Sequence, residues 1–181
     1  MDDSGPIAVR ASILYFRDER LLLCRRTDEE DVWVLPGGIP APGEGTAAAA
    51  RREVAEETGL QVAAERIAYV LEAMSWDGEQ YLIEIVFLGS ERDRNAGPLQ
   101  VEERLAPAFV AVADLDQIRT RPPIAGYIKG FMRSGGLGSR LRHQTASCLG
   151  NVWRPGVRQV EMSLVDSPGP GRSASADDSL W

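Results

Sequence analysis

The apolar residues of the chain change period several times, and each change predicts an element. Ile7 to Phe16 and Arg20 to Arg26 are apolar-rich runs joined by Arg17-Asp18-Glu19, which predicts a β-hairpin. Trp33-Val34-Leu35 predicts a short strand entering Pro36-Gly37-Gly38. The period then becomes helical: Ala47 to Thr58 are mostly good helix formers, with Thr46 placed as N-cap and Gly59 as a left-handed C-terminal cap. Ile67 to Trp76 and Gln80 to Leu88 read as strands around Asp77-Gly78, a tight-turn dipeptide. Ala108 to Val112 predicts another strand and Asp114 to Ile118 a short helix capped by its aspartate. Finally, Pro122 and Pro123 can open a helix in which Ile124, Tyr127, Ile128, Phe131 and Met132 recur at helical spacing. Strands mixed irregularly with helices predict an α/β protein with a mixed sheet covered on two faces.

Composition adds a boundary. The 181 residues carry a net charge of −7, but residues 1–130 hold 14 basic and 23 acidic groups, while 131–181 hold 6 and 4. In those last 51 residues, 20 are Gly, Pro, Ser or Gln, against 27 of the first 130. The expected organisation is therefore a domain over residues 1–133 and an extension over 134–181. Within the extension Cys148 to Trp153 and Val157 to Val165 keep strand-like character, and Ser167 to Ser179 read as a disordered tail.

The acidic balance argues against a duplex nucleic-acid binder. No long apolar window and no signal-like start predict a soluble cytoplasmic protein without a membrane partner. Two cysteines and one histidine, His143, do not supply a zinc site of the usual spacing, and Cys24 reads as a small buried hydrophobe.

The chemistry is concentrated in the helix. Glu53, Glu56 and Glu57 stand at i, i+3 and i+4, which puts three carboxylates on one helical face. A solvated acidic face has the same spacing, but a Gly-rich loop and Arg52 adjoin this one. Ala47, Ala50 and Val54 on the other side allow close approach to a sheet. Mutual repulsion makes a divalent cation the natural compensation, and oxygen-only donors favour Mg²⁺ or Mn²⁺.

Gly38 is followed after five residues by Glu44, and after seven more by Arg52-Glu53-Val54-Ala55-Glu56-Glu57-Thr58-Gly59-Leu60. This segment resembles a complete Nudix box, the signature of the Nudix hydrolases. Seven specified positions match by chance less than about once in 10⁷ windows. The resemblance implies the Nudix fold, an α/β/α sandwich around a mixed sheet. It also implies Mg²⁺-dependent hydrolysis of a nucleoside diphosphate linked to another moiety.

Carried over residue by residue, Glu53, Glu56 and Glu57 would hold the metal with the Gly37 carbonyl, and Glu53 is alternatively the base that takes the water proton. Glu44 supports the loop, and Arg52 orients a metal-binding glutamate. A carboxylate outside the box is expected from Glu102 or Glu103, with Glu84 third. Trp33, Trp76 and Tyr81 are candidates to stack a base, although aromatics at strand ends more often belong to the core. Trp153 and Trp181 are weaker candidates for partner contacts.

The proline that ADP-ribose-type members tend to carry about fifteen residues after the box is absent, Ser75 and Trp76 standing there; Tyr81 comes late for the tyrosine of diadenosine polyphosphate types. A small nucleotide substrate is expected, with a nucleoside triphosphate narrowly ahead of ADP-ribose or a nucleotide sugar. A nucleotide-sensing module without turnover is the alternative of another class, and a homodimer is left open.

Overall fold

A computed structural model describes residues 7–74, 81–91, 94, 96–133 and 147–151. Strands β1 (Ile7–Leu14), β2 (Phe16–Arg17), β3 (Arg20–Arg26), β4 (Val32–Val34) and β5 (Gly37–Gly38) precede helix α1 (Thr46–Thr58). Strands β6 (Val62–Met74), β7 (Tyr81–Glu91) and β8 (Leu105–Ala111) follow, then a 3-10 helix (Val112–Gln117), β9 (Arg119–Thr120), helix α2 (Ala125–Arg133) and β10 (Ser147–Asn151).

The strands form two sheets, one in the order β10-β6-β7-β1-β5 and one in the order β2-β3-β4-β9 with β8 on the other side of β3. Both parallel and antiparallel pairs occur in each. The expected α/β fold is present, with its mixed sheet divided in two.

The first predicted hairpin is corrected by this division. Ile7 to Phe16 is broken at Tyr15: β1 pairs with β7 and β5, and only Phe16 and Arg17 turn back onto β3. Residues 11–16 are all buried, so the run lacks the alternation of a half-exposed hairpin strand. Alternation instead divides those residues between two cores. Leu14 and Phe16 join Leu21, Leu23, Leu35, Leu71, Val86 and the α2 residues Ile128 and Phe131. Ala11, Ile13 and Tyr15 join Leu22, Val62, Phe87 and the α1 residues Ala49, Ala50 and Val54.

Small side chains let α1 lie close to its sheet, as the sequence implied. Its ends differ from expectation at one side only. Gly59 takes the left-handed conformation, φ 70°, and its N–H donates to the Ala55 carbonyl at 3.0 Å. Thr46 is not the N-cap: it is the first helical residue, and Gly45 caps through its backbone carbonyl, which accepts from Ala48 and Ala49 N–H.

Asp114 likewise lies inside the first turn of the 3-10 helix rather than before it, a phase that buries Leu115 completely. Helix α2 begins at Ala125, beyond the two prolines, and buries Ile128 and Phe131 as the periodicity required. The Asp77-Gly78 turn, Trp76, His143, Trp153, Val157 to Val165, Ser167 to Ser179 and Trp181 lie outside the described residues. Within the extension, β10 pairs in parallel with β6 along Ser147 to Asn151. No helix among the described residues is long and apolar enough to cross a membrane.

Candidate active site

The site is built where the loop after β5 meets α1. Glycine at position 38 is demanded by the approach itself: a Cβ there would lie 2.3 Å from Glu53 Cδ. The carboxylate of Glu53 thus rests directly on the Gly38 backbone.

Arg52 gathers the neighbouring acids. Its Nε and Nη2 donate to the two Glu44 carboxylate oxygens at 2.9 and 2.8 Å, the bidentate fork that guanidinium geometry favours. Its Nη1 donates to Glu53 Oε1 at 2.8 Å and to Glu56 Oε2 at 2.9 Å. Glu44 is held far below the usual carboxylate range, at about 2, chiefly by the Arg52 hydrogen bonds and then by Ala41 N–H, which donates at 2.9 Å. So Glu44 fastens the loop to the helix through Arg52. The mutual repulsion of these acids is thus partly met by this single arginine.

Glu57 occupies a different environment. It is 5% exposed, accepts the Gly37 N–H at 3.0 Å, and has its carboxyl pushed up to about 8 by burial. Arg10 and the Gly37 N–H oppose that rise, while the charges of Glu102 and Glu53 add to it. The three helical glutamates therefore share a face but differ in access, with Glu56 about half exposed and Glu53 mostly covered.

Glu102 reaches the field of Glu57 because the preceding loop folds over the end of α1: Leu99 N–H donates to the Thr58 carbonyl at 2.9 Å, and Leu99 and Val101 lie against Gly59. Glu103 is exposed; its backbone carbonyl accepts from Thr27 Oγ1 and Gln100 Nε2. Glu84 is fully buried and bound by Arg10 Nη1, an arrangement unsuited to a mobile proton acceptor. Of the proposed stacking residues, Trp33 is partly buried against the first core and Tyr81 is half-buried at the start of β7. Cys24 is completely buried, and burial raises its thiol well above the ordinary value, in keeping with a packing role.

Arg10 was not singled out by sequence. Its Nη2 donates to the Leu35 and Gly37 carbonyls at 2.9 and 2.7 Å while Nη1 holds Glu84. The available signal was a lone charged residue between Val9 and Ala11 in a largely apolar strand, but only pairing with β7 reveals its partner.

Among the described residues no three acidic, histidine or cysteine side chains converge closely enough to hold a metal as they stand. The donors nevertheless suit a hard divalent cation. They are carboxylate and carbonyl oxygens, Glu57 is a desolvated carboxylate facing further acids, and the Gly38 backbone leaves a Cβ-sized space that the Glu53 carboxylate fills.

Comparison with known proteins bears on the family and the fold. A family model described as NUDIX domain matches residues 6–131. A Bacillus subtilis (strain 168) protein named "Putative 8-oxo-dGTP diphosphatase" is 37% identical over 78 residues, covering 43% of this chain and 49% of that protein. The match thus spans about half the length of the curated relative. The crystal structure of a MutT NUDIX hydrolase from Burkholderia pseudomallei is 28% identical with a TM-score of 0.55, covering 67% of this chain and 96% of the other. An ADP-ribose pyrophosphatase from Streptococcus suis 89-1591 shares the fold with a TM-score of 0.56 at 21% identity, over 78% of this chain and 98% of that one. Since the family match extends over most of the sequence and includes the whole Gly38 to Leu60 signature, the chain belongs to the NUDIX family of hydrolases.

Proposed function

We propose that this protein hydrolyses a pyrophosphate bond of a small nucleotide with Mg²⁺, or Mn²⁺ in its place, and that a nucleoside triphosphate is the preferred substrate. The observation that carries the reading is the Arg52 assembly, which fixes Glu44, Glu53 and Glu56 beside the Gly38 backbone while Glu57 is held on Gly37 N–H.

Hydrolysis of an acid anhydride requires neutralised phosphate oxygens, a positioned water and an acceptor for its proton. Glu53, Glu56, Glu57 and the Gly37 carbonyl are the groups that would hold the cation, which when bound supplies phosphate neutralisation and acidifies water. Arg52 sets the directions of the Glu53 and Glu56 carboxylates and is therefore a positioning residue. Glu53 is the acceptor best placed within the signature, since it is fixed at both Arg52 and Gly38. Glu102 is the outside carboxylate favoured over Glu103 and Glu84, because its charge acts on Glu57.

The triphosphate preference is supported by the name of the Bacillus subtilis relative and by the absence of the proline position tied to ADP-ribose types. Folds of this kind serve several substrates, so likeness to the Streptococcus suis structure does not select among them. Purified protein incubated with Mg²⁺ and a nucleotide panel, with products identified, is expected to release pyrophosphate and a monophosphate from a triphosphate. Cleavage confined to ADP-ribose or nucleotide sugars would replace the substrate. Binding without any product would favour a nucleotide sensor, and chelation with EDTA is expected to abolish turnover.

A further inference from the structure

We propose that Glu84, with Ser12 beside it, reads a hydrogen-bond donor on the nucleobase of the substrate; this rests on the nucleotide reading given above. β1 and β7 pair in parallel with Arg10 opposite Glu84 and Ser12 opposite Val86. Arg10, Ser12, Glu84 and Val86 therefore project to one face, and Ser12 is the diagonal neighbour of Glu84. The immediate neighbours of Glu84 on that face are apolar, with Leu71 opposite it on β6 and Leu82 two residues before it on β7.

Both polar groups are completely buried, and each has an atom without a partner: Ser12 Oγ and Glu84 Oε2. The other Glu84 oxygen is taken by Arg10, so the carboxylate is oriented but half satisfied. Buried polar groups in native proteins are nearly always bonded, and an unbonded pair on one face asks what ordinarily meets it. A carboxylate only accepts, so its partner must donate; a phosphate oxygen is excluded. The position is close to the reaction centre, because the Arg10 guanidinium that holds Glu84 also holds the Gly37 carbonyl.

It also lies where that face passes from half-buried to fully buried. On β1, Ala8 and Arg10 on this face are half-buried, whereas Ser12 and Leu14 are buried. On β7, Leu82 is half-buried before the buried Glu84 and Val86. A flat base with an N–H on its edge matches both the apolar surroundings and the orphaned acceptor, whereas a cation matches only the acceptor and a phosphate neither.

The test uses nucleoside triphosphates that differ only at the base edge: guanine with N1–H and a 2-amino group, hypoxanthine with N1–H alone, and unsubstituted purine with neither. Full-length protein is expected to favour guanine and hypoxanthine over purine in kcat/KM by roughly a hundredfold, the order expected when one buried acceptor loses its donor. Glu84→Gln is expected to reduce that ratio at least tenfold, and Ser12→Ala to reduce it less, each variant being checked for folding by its melting temperature. Equal loss on all three substrates would overturn the proposal and leave Glu84 acting only through Arg10. Indifference of the unmodified protein to the base edge would overturn it as well and would point to a buried water as the partner. Binding of the matching monophosphates is measured in parallel. If nothing is hydrolysed, the function reading fails, while the base preference in binding still decides the role of Glu84.

Discussion

Glu57 carries the least water-like environment of the signature carboxylates, and its proton is the one that folding perturbs most clearly. A carboxyl raised by burial from an ordinary value to about 8 binds a proton in the folded protein that the unfolded chain has already released. Between roughly pH 4.5 and 8 the folded state therefore holds more protons, and stability falls as pH rises through that window. Thermal denaturation in EDTA is expected to show this decline, and Glu57→Gln is expected to flatten it; an unchanged slope in the variant would place the titration elsewhere. In turnover, Glu53→Gln and Glu57→Gln are each expected to cost roughly a hundredfold or more with the fold intact. Near-normal Mg²⁺-dependent rates in both variants would withdraw their assignment. At this scale the sequence displayed the acids and Arg52 because their spacing is local. Arg10 and Glu84 are 74 residues apart and meet only through strand pairing, so no local pattern could join them.

At the scale of elements, two glycines at either end of the signature serve different purposes. Gly59 closes α1 in a left-handed conformation with ordinary space around a would-be Cβ, whereas a Cβ at Gly38 would collide with the Glu53 carboxylate. Gly59→Ala is thus expected to destabilise the fold by about 1 kcal/mol through backbone strain, with the activity of the folded fraction maintained. Gly38→Ala is expected to lower turnover at least tenfold with a smaller change in melting temperature, since the side chain that must yield is Glu53. Parallel melting and kinetic measurements separate the two, and loss of stability without loss of rate at position 38 would count against the site. The helix was legible because its period and carboxylates coincide in thirteen residues that a C-cap glycine follows directly. The break of the first strand at Tyr15 was not, because a run buried on both faces looks the same whether it stays in one sheet or passes between two. The cap at Gly45 was missed for a smaller reason: threonine has the chemistry of an N-cap, but a backbone carbonyl one residue earlier opens the helix.

Across the whole molecule, the two cores lie on opposite faces of strands β1 and β3, one closed by α1 and the other by α2. The signature helix is thereby fixed through Ala49, Ala50 and Val54 and leaves its acids to the loop side. That division follows from alternation along strands whose order the sequence does not state. The family match ends at residue 131, yet β10 continues the larger sheet by pairing with β6 at Tyr69, Val70 and Glu72. β10 sits at the end of the strand order β10-β6-β7-β1-β5, and the signature strand β5 at the opposite end. Truncation after Arg133 is therefore expected to preserve kcat within about twofold. It also uncovers backbone N–H and C=O groups along β6, an open edge that invites self-association. The truncated protein is expected to melt several degrees lower, since about 1 kcal/mol corresponds to roughly 2–8 °C in domains of this size range, and to associate more readily as concentration rises. Kinetics alongside melting and sedimentation distinguish the outcomes: a folded truncation that has lost its activity would assign the extension to the site, and an unchanged melting temperature would show that β10 contributes little to the sheet it borders.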